Sequence, residues 1–194
     1  MKNILNTLNI EDLNNFKLVK LEKEGILFRE NDVCMHVGII KTGEVKISSY
    51  SFDGNEIVYN NIKVGEMFGN NLLFSLNPIY RGNIIGSKTS EIYLIDKTSL
   101  LDLLSSNKEF LESFLEYEAN LGLSLNSKIK YLSFNKIEER FLYYLFLHEN
   151  EITYKSVKSL AEELNVQRES LSRMLTKLEK DKIIKREEHK IIKL

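Results

Sequence analysis

The segment from Asn165 to Leu178, NVQRESLSRMLTKL, constrains the fold of this chain more than any other. Leu171, Leu175 and Leu178 recur at four- and three-residue spacing, which predicts a helix with one buried stripe. The other side of this helix carries hydrogen-bonding residues at similar spacing, namely Arg168, Glu169, Ser172 and Arg173. A helix with one face buried in a core and such polar side chains near its N-terminus is typical of a helix-turn-helix. In that motif the second helix enters the DNA major groove.

The residues on either side of this segment strengthen that interpretation, because an amphipathic helix alone is most often an ordinary surface helix. Before it, KSLAEEL (158–164) predicts a first helix in which the small Ala161 allows two helices to cross closely. Asn165 suits the turn, since asparagine tolerates a left-handed backbone. After it, two short apolar and charged runs surround Glu187–Glu188–His189, which predicts a terminal hairpin. We therefore expect a winged helix-turn-helix over residues 135–194.

Composition limits the class of protein. The chain has 194 residues, of which 43% are hydrophobic and 28% are charged, as in globular proteins that fold in water. No run approaches the roughly 18 apolar residues of a membrane span, and the first residues do not resemble a signal peptide. A cytoplasmic location without a membrane partner is the expectation. The single cysteine, Cys34, excludes an internal disulfide and is expected to be structural.

The distribution of charge favours a nucleic-acid partner for one end of the chain. The net charge is only −1, but residues 165–194 contain nine Lys and Arg against five Asp and Glu. The local charge is therefore +4, and the remaining residues carry −5. A basic end on a mildly acidic body is the pattern expected of a module that contacts DNA.

A different periodicity governs residues 16 to about 97, where short β-type runs alternate with turn residues. Glu44–Ser49 and Ser90–Ile95 predict strands, and Asp53-Gly54 is a strong hairpin signal. Six or more such strands without a helical period predict a jelly-roll or β-roll, and hence an α+β chain. Its domain should cover residues 1–107, with Met1–Asn15 forming one short amphipathic helix in front of it.

A long helix should follow over residues 108–134, after a brief helix at Lys97–Asn107. One stripe steps by four and three along its length: Leu111, Leu115, Glu118, Gly122, Leu125, Ile129 and Leu132. A second apolar stripe runs along its first half: Phe110, Phe114, Tyr117 and Leu121. A helix with two apolar faces must bury both, and one of them can cover the β-domain. The other is expected to pair with the same helix of a second chain, since two-fold DNA sites suit two-fold proteins. The alternative is one helix between two domains of a monomer.

The break at Ser133–Asn135 is expected to act as a hinge before a further helix over residues 136–149. The order β-roll, long helix and winged helix-turn-helix resembles the Crp/Fnr family, that of the cyclic-AMP receptor protein and the fumarate–nitrate reduction regulator. The residues that carry the resemblance are FRENDVCMHVGIIKTGEVKI (Phe28–Ile47), VGEMFG (Val64–Gly69), Arg81, Glu139–Arg140 and RESLSR (Arg168–Arg173). The resemblance implies a β-roll that senses an effector, a dimerisation helix, and a winged domain that binds a palindromic promoter site and touches RNA polymerase.

The resemblance also implies roles for single residues in DNA recognition. Arg168, Glu169 and Arg173 match the base-reading positions of the family, and arginine suits guanine as glutamate suits the amino group of cytosine. Ser172 matches the fumarate–nitrate branch, whereas Arg168 matches the cyclic-AMP branch, so the half-site remains open. Ser156 is expected to cap the first helix of the motif, and a phosphate contact is the alternative.

The effector site departs from the pattern of the nucleotide-binding members. The matching positions are Phe68, Gly69, Asn70, Arg81, Gly82 and Asn126. Asn70 replaces the glutamate that contacts the ribose in nucleotide binders, and Gly82 replaces the serine after the phosphate-binding arginine. Cyclic AMP is therefore disfavoured, and a different small anion at Arg81, or no effector, is expected. An iron–sulfur cluster needs several cysteines and haem needs a suitably placed histidine, so neither is expected.

Two other classes of function share parts of this pattern with a DNA-binding regulator. A cupin-type metalloenzyme shares the jelly-roll, but it needs clustered histidine and carboxylate ligands, and the β-region has only His36. A cyclic-nucleotide-binding regulatory module of another protein would not need the C-terminal motif. We therefore expect a dimeric regulator that is not an enzyme.

Overall fold

The computed structural model describes residues 3–194 and divides the chain into two compact units, Met1–Ala119 and Asn120–Leu194. Each unit has its own hydrophobic core. No helix among the described residues is long and apolar enough to span a membrane.

The first unit begins with two short helical segments instead of the single helix predicted over Met1–Asn15. A 3-10 turn covers Ile4–Thr7, and helix α1 covers Ile10–Leu13. Asn9 separates them because its extended backbone and its capping box with Asp12 start a new helix. The prediction of one continuous helix is therefore wrong for the described residues, and Met1 and Lys2 lie outside them.

Eight strands follow and form two four-stranded antiparallel sheets, which confirms the predicted β-roll. The strands are β1 Lys17–Leu21, β2 Ile26–Phe28, β3 His36–Thr42, β4 Glu44–Tyr50, β5 Glu56–Lys63, β6 Met67–Phe68, β7 Asn83–Gly86 and β8 Ser90–Asp96. One sheet has the order β1-β8-β3-β6 and the other the order β2-β7-β4-β5. A short helix, α2 Asn70–Leu73, follows β6. The hairpin signals are confirmed, since Gly43 and Gly54 both adopt positive φ at the turns that flank β4.

Side chains of the central strands supply the core of the β-roll. Four consecutive residues of β3, Val37–Ile40, are buried. Val37 pairs with the buried Ile95 of β8, and Ile40 pairs with the buried Ile92. Strand β5 lies at a sheet edge and is exposed along most of its length. The β-roll is thus a sandwich whose buried layer lies between the two sheets.

Helix α3, Lys97–Ser106, is capped by Asp96, whose carboxylate accepts hydrogen bonds from the backbone of Thr98 and Ser99. Helix α4 then runs from Lys108 to Leu132, as predicted. Phe110 and Phe114 belong to the core of the first unit, so this face of α4 covers the β-roll. The other apolar stripe has exposed leucine and isoleucine side chains, between 41% and 67% accessible: Leu115, Leu125, Ile129 and Leu132.

The second unit contains the predicted helix-turn-helix and hairpin. Its elements after α4 are α5 Ile137–Leu147, β9 Glu151–Thr153, α6 Val157–Glu163, α7 Arg168–Lys180, β10 Ile184–Glu187 and β11 Lys190–Lys193. Strands β10 and β11 form the hairpin, and β9 joins them in a three-stranded sheet of order β10-β11-β9. Strand β9 was not predicted, because three residues with one buried side chain, Ile152, give no periodic signal.

Candidate DNA interface and effector site

The helix-turn-helix is built from α6, a tight turn and α7. Ser156 caps α6 through a reciprocal capping box, in which its hydroxyl accepts from the Ser159 backbone at 3.0 Å and its own N–H donates to the Ser159 hydroxyl at 3.1 Å. Ala161 is buried, which allows the close helix approach expected of a small residue. Asn165 adopts φ +52°, the left-handed conformation predicted for the turn.

Helix α7 divides into a buried face and a polar face. Leu171, Leu175 and Leu178 are fully buried in the core of the second unit, as the spacing predicted. The predicted base-reading residues are all exposed: Arg168, Glu169, Ser172 and Arg173. Among the described residues, none of these four side chains forms a hydrogen bond or an ion pair. Their donors and acceptors are therefore available to a partner in solution.

Two ion pairs, neither of which was predicted, link α7 to neighbouring elements of the second unit. Lys177 Nζ lies 3.0 Å from Glu138 Oε2 and links α7 to α5. On the other side, Arg186 of β10 donates from Nε to Glu179 Oε2 at 2.8 Å and links the hairpin to α7. The Arg186 guanidinium holds the pKa of Glu179 below its ordinary value, mainly through this hydrogen bond. The partners are distant in sequence or separated by a turn, so no periodicity reveals them.

The Arg140 guanidinium donates four hydrogen bonds to backbone carbonyls of the second unit. Its Nη1 donates to the carbonyl oxygens of Leu164 and Asn165, both at 3.2 Å. Its Nη2 donates to the carbonyl oxygens of Leu132 at 3.3 Å and Phe134 at 2.9 Å. One guanidinium thus serves the unpaired carbonyls at the C-terminal ends of α4 and α6, where a positive charge is also favoured by the helix dipole. Arg140 thereby links the turn of the helix-turn-helix to the irregular segment that follows α4.

Three of the six predicted effector residues, Phe68, Gly69 and Asn70, form a tightly packed corner between β6 and α2. Phe68 and Asn70 are 2% and 4% exposed. Gly69 adopts φ +77°, and a Cβ there would lie 2.6 Å from the carbonyl oxygen of His36. Gly38 faces Phe68 across the β3–β6 pair, and a Cβ on it would lie 2.1 Å from the phenyl ring. We call Phe68–Gly69–Asn70 the β6–α2 corner; glycines on both sides allow its close packing.

Helix α4 is hydrogen-bonded to this corner. Asn70 Nδ2 donates to Glu118 Oε1 at 2.6 Å. The Tyr117 hydroxyl donates to the Met67 carbonyl at 3.1 Å and accepts from the Met67 N–H at 3.0 Å. Burial raises the pKa of Tyr117, so the hydroxyl remains protonated and able to donate. Tyr117 and Glu118 were placed in the apolar stripes by spacing alone, and their polar roles were missed.

The remaining predicted effector residues lie apart from the corner in sequence. Arg81 is exposed, and within residues 3–194 its guanidinium forms no hydrogen bond or ion pair. Gly82 is buried, and a Cβ there would lie 3.0 Å from the Ser48 carbonyl oxygen, so serine would fit poorly. Asn126 is exposed on α4 and belongs to the second unit. The Arg81 guanidinium is therefore exposed and free of partners among the described residues.

Cys34 is buried, with 2% exposure, and its thiol contacts the carbonyl oxygens of His36 and Gly69. Burial raises the pKa of the Cys34 thiol. Among residues 3–194, no three His, Cys, Asp or Glu side chains are grouped so that they could hold a metal ion.

Comparison with known proteins supports the same organisation. A family model described as a cyclic nucleotide-binding domain matches residues 18–107, and one described as a Crp-like helix-turn-helix domain matches residues 140–194. No relative was found among curated protein sequences.

Solved structures share the fold over nearly the whole chain. CprK complexed with OCPA aligns with a TM-score of 0.77 at 14% identity, over 100% of this chain and 91% of that one. A CooA mutant from Carboxydothermus hydrogenoformans aligns with a TM-score of 0.73 at 17% identity, over 99% and 90%. The c-di-GMP-responsive regulator CLP from Xanthomonas campestris aligns with a TM-score of 0.60 at 20% identity, over 97% and 98%. With the two domain matches in this order, the chain belongs to the Crp/Fnr family of DNA-binding transcription regulators, which are not enzymes.

Proposed function

We propose that the protein is a homodimeric transcription regulator that recognises a palindromic promoter site through α7. The observation that carries the proposal is the exposed face of α7, where Arg168, Glu169 and Arg173 have no intramolecular partner while the opposite face is buried. Two arginines offer paired donors to guanine, and Glu169 offers an acceptor to the amino group of cytosine. Ser172 adds a short donor and acceptor to the same face.

Backbone contacts to DNA should come from groups near this face. Ser156 uses its hydroxyl as a cap for α6, so its contribution to a phosphate contact would be secondary. The surplus of basic residues after Asn165 supplies the sequence-independent attraction to phosphate.

Homodimer formation is supported by the exposed apolar face of α4. Leu125 and Ile129 are 47% and 67% exposed, and a monomer would leave these side chains in water. They are four residues apart, and Leu132 follows three residues later, a spacing that suits a paired helix from a second chain. A two-fold dimer would place two α7 helices on two half-sites.

We propose that a small anion is sensed at Arg81 of the β-roll, because this guanidinium is exposed and free of partners in the described structure. Cyclic AMP is disfavoured because Asn70 carries no carboxylate for a ribose hydroxyl. Acting on promoters in the cytoplasm, the dimer is expected to contact RNA polymerase.

The test is selection of bound duplexes from a random DNA pool by the purified full-length protein. Enrichment of a palindrome would support the proposal and supply the half-site. Failure of a folded dimer to enrich any sequence, with and without cyclic nucleotides and other small anions, would overturn it.

A further inference from the structure

The contact between the β6–α2 corner and α4 has a defined polarity. The Asn70 amide is 4% exposed and donates to the half-buried Glu118 carboxylate at 2.6 Å. A carboxylate has no donor when it is ionised, so only the amide supplies the hydrogen of this bond. Hydrogen bonds to an ionised group are stronger than neutral ones, and burial of the amide makes its partner obligatory.

A second contact lies one helix residue away and fixes the same part of α4. Tyr117 and the Met67 backbone exchange two hydrogen bonds of 3.0 and 3.1 Å. Together the two contacts join Tyr117 and Glu118, which are consecutive residues of α4, to β6 and to α2, respectively. The aromatic ring of Phe114, one turn earlier, is buried in the β-roll core and anchors the helix further.

We propose that the Asn70–Glu118 pair is an internal latch that holds α4 against the β-roll and thereby maintains DNA affinity without a nucleotide effector. The proposal rests on the proposed function, because its biological output is DNA binding. It deepens that function by assigning regulation to the corner: the latch occupies the amide that a ligand hydroxyl would otherwise have to engage. A nucleotide could use Asn70 only by displacing Glu118.

The decisive experiment reverses the polarity of the latch. Asn70→Glu places two carboxylates against each other, so α4 must move or one group must be protonated at neutral pH. Adding Glu118→Gln restores a donor and an acceptor in swapped order. Glu118→Gln alone retains an acceptor oxygen for Asn70. Asn71→Glu, at the next and exposed position of α2, is the matched control for the added charge.

The measurements are affinity for the selected DNA site without added ligand and hydrogen exchange of the α4 amides around Tyr117. We expect Asn70→Glu to bind at least tenfold more weakly and to lose amide protection. The double variant should recover most of both properties, and Glu118→Gln and Asn71→Glu should stay within threefold of the unmodified protein. Addition of cyclic AMP or cyclic GMP to the unmodified protein should change affinity less than twofold.

Several results would overturn the latch. One is a folded Asn70→Glu protein that binds DNA within threefold of the unmodified chain, and another is a double variant that recovers nothing. A tenfold gain on adding either cyclic nucleotide would do the same. If Asn70→Glu does not fold, Glu118→Ala at its half-exposed helical site is used instead, with the same expected loss. If the unmodified protein selects no DNA sequence, the proposed function fails, and unchanged amide protection in Asn70→Glu would separately refute the latch.

Discussion

At the scale of single residues, Arg173 lies on the exposed face of α7 with its guanidinium free of partners in the described part of the chain. We expect Arg173→Ala to cost about 1–3 kcal/mol of binding free energy and to relax the preference for one base pair. Competition binding with a series of single-base variants of the selected site measures both effects. Lys180→Ala, at the exposed end of the same helix, should weaken binding equally for all sequences. A uniform loss in Arg173→Ala would contradict its base-reading role.

For Arg140 we predict an effect on stability, because its four hydrogen bonds are made within the protein. A lysine ammonium is compact and cannot serve carbonyls in this forked arrangement. We expect Arg140→Lys to lower the free energy of unfolding of the second unit by about 1–3 kcal/mol, because hydrogen bonds to a charged donor are lost. Urea unfolding followed by hydrogen exchange measures the loss. Lys136→Ala, one turn earlier and exposed, should change little; equal stability of both variants would refute the assignment.

Cys34 should react slowly with thiol reagents in the native protein. Only the thiolate reacts, and burial both shields the sulfur and raises its pKa, so the thiolate fraction at pH 8 is smaller than in an unfolded chain. Labelling with a disulfide reagent in buffer and in urea compares the two states. Fast labelling of the folded protein would show that the thiol is accessible and would contradict the structural role expected for Cys34.

At the scale of elements, the helices and strands that bury a periodic stripe of apolar residues could be predicted from the sequence. Helices α4 and α7 and the hairpin strands appear where their apolar spacing placed them, because burial of a regular face is a local property. The segment before β1 was mispredicted because its apolar spacing continues through Asn9. There the capping box of α1 ends the preceding turn and starts a new helix. Strand β9 was missed because its stabilisation comes from pairing with β11, which lies far away in sequence.

The same distinction applies to the candidate sites. The exposed polar face of α7, the candidate DNA interface, could be predicted from α7 alone, because exposure follows from the buried positions on the same helix. The polar contacts of Glu118, Tyr117 and Arg140 could not, since each partner belongs to another element. Spacing shows which face a residue occupies but not which atom it meets there.

The attachment of the hairpin to α7 should depend on pH. The pKa of Glu179 lies below its ordinary value of 4.5 because Arg186 stabilises the carboxylate. The stabilisation is therefore complete above about pH 4.5 and is lost as the pH falls through the lower folded-state pKa. Hydrogen exchange of β10 amides as a function of pH measures it. Glu179→Gln should remove this acid-dependent component, and an unchanged profile would show that the pair does not hold the hairpin.

At the scale of the whole molecule, the described structure has two separate cores and one long helix with an exposed apolar face. We expect Ile129→Glu to shift the protein from dimer to monomer and to weaken DNA binding at least tenfold, because a charge cannot be buried in an apolar helix pair without a partner. Sedimentation velocity and DNA binding provide the readouts. Ser124→Glu, at an exposed polar position of the same helix outside the stripe, should remain dimeric. A dimeric Ile129→Glu protein would move the interface elsewhere.

The close approach of the Phe68 ring to Gly38 has a consequence for genetics. Any side chain at position 38 would push the ring, and with it the β6–α2 corner, although this glycine offers no group to DNA, to a ligand or to a second subunit. A screen for altered promoter output should therefore recover substitutions of Gly38, and they would resemble regulatory mutations. In this chain a single methyl group inside the fold would then change promoter output without any contact to DNA.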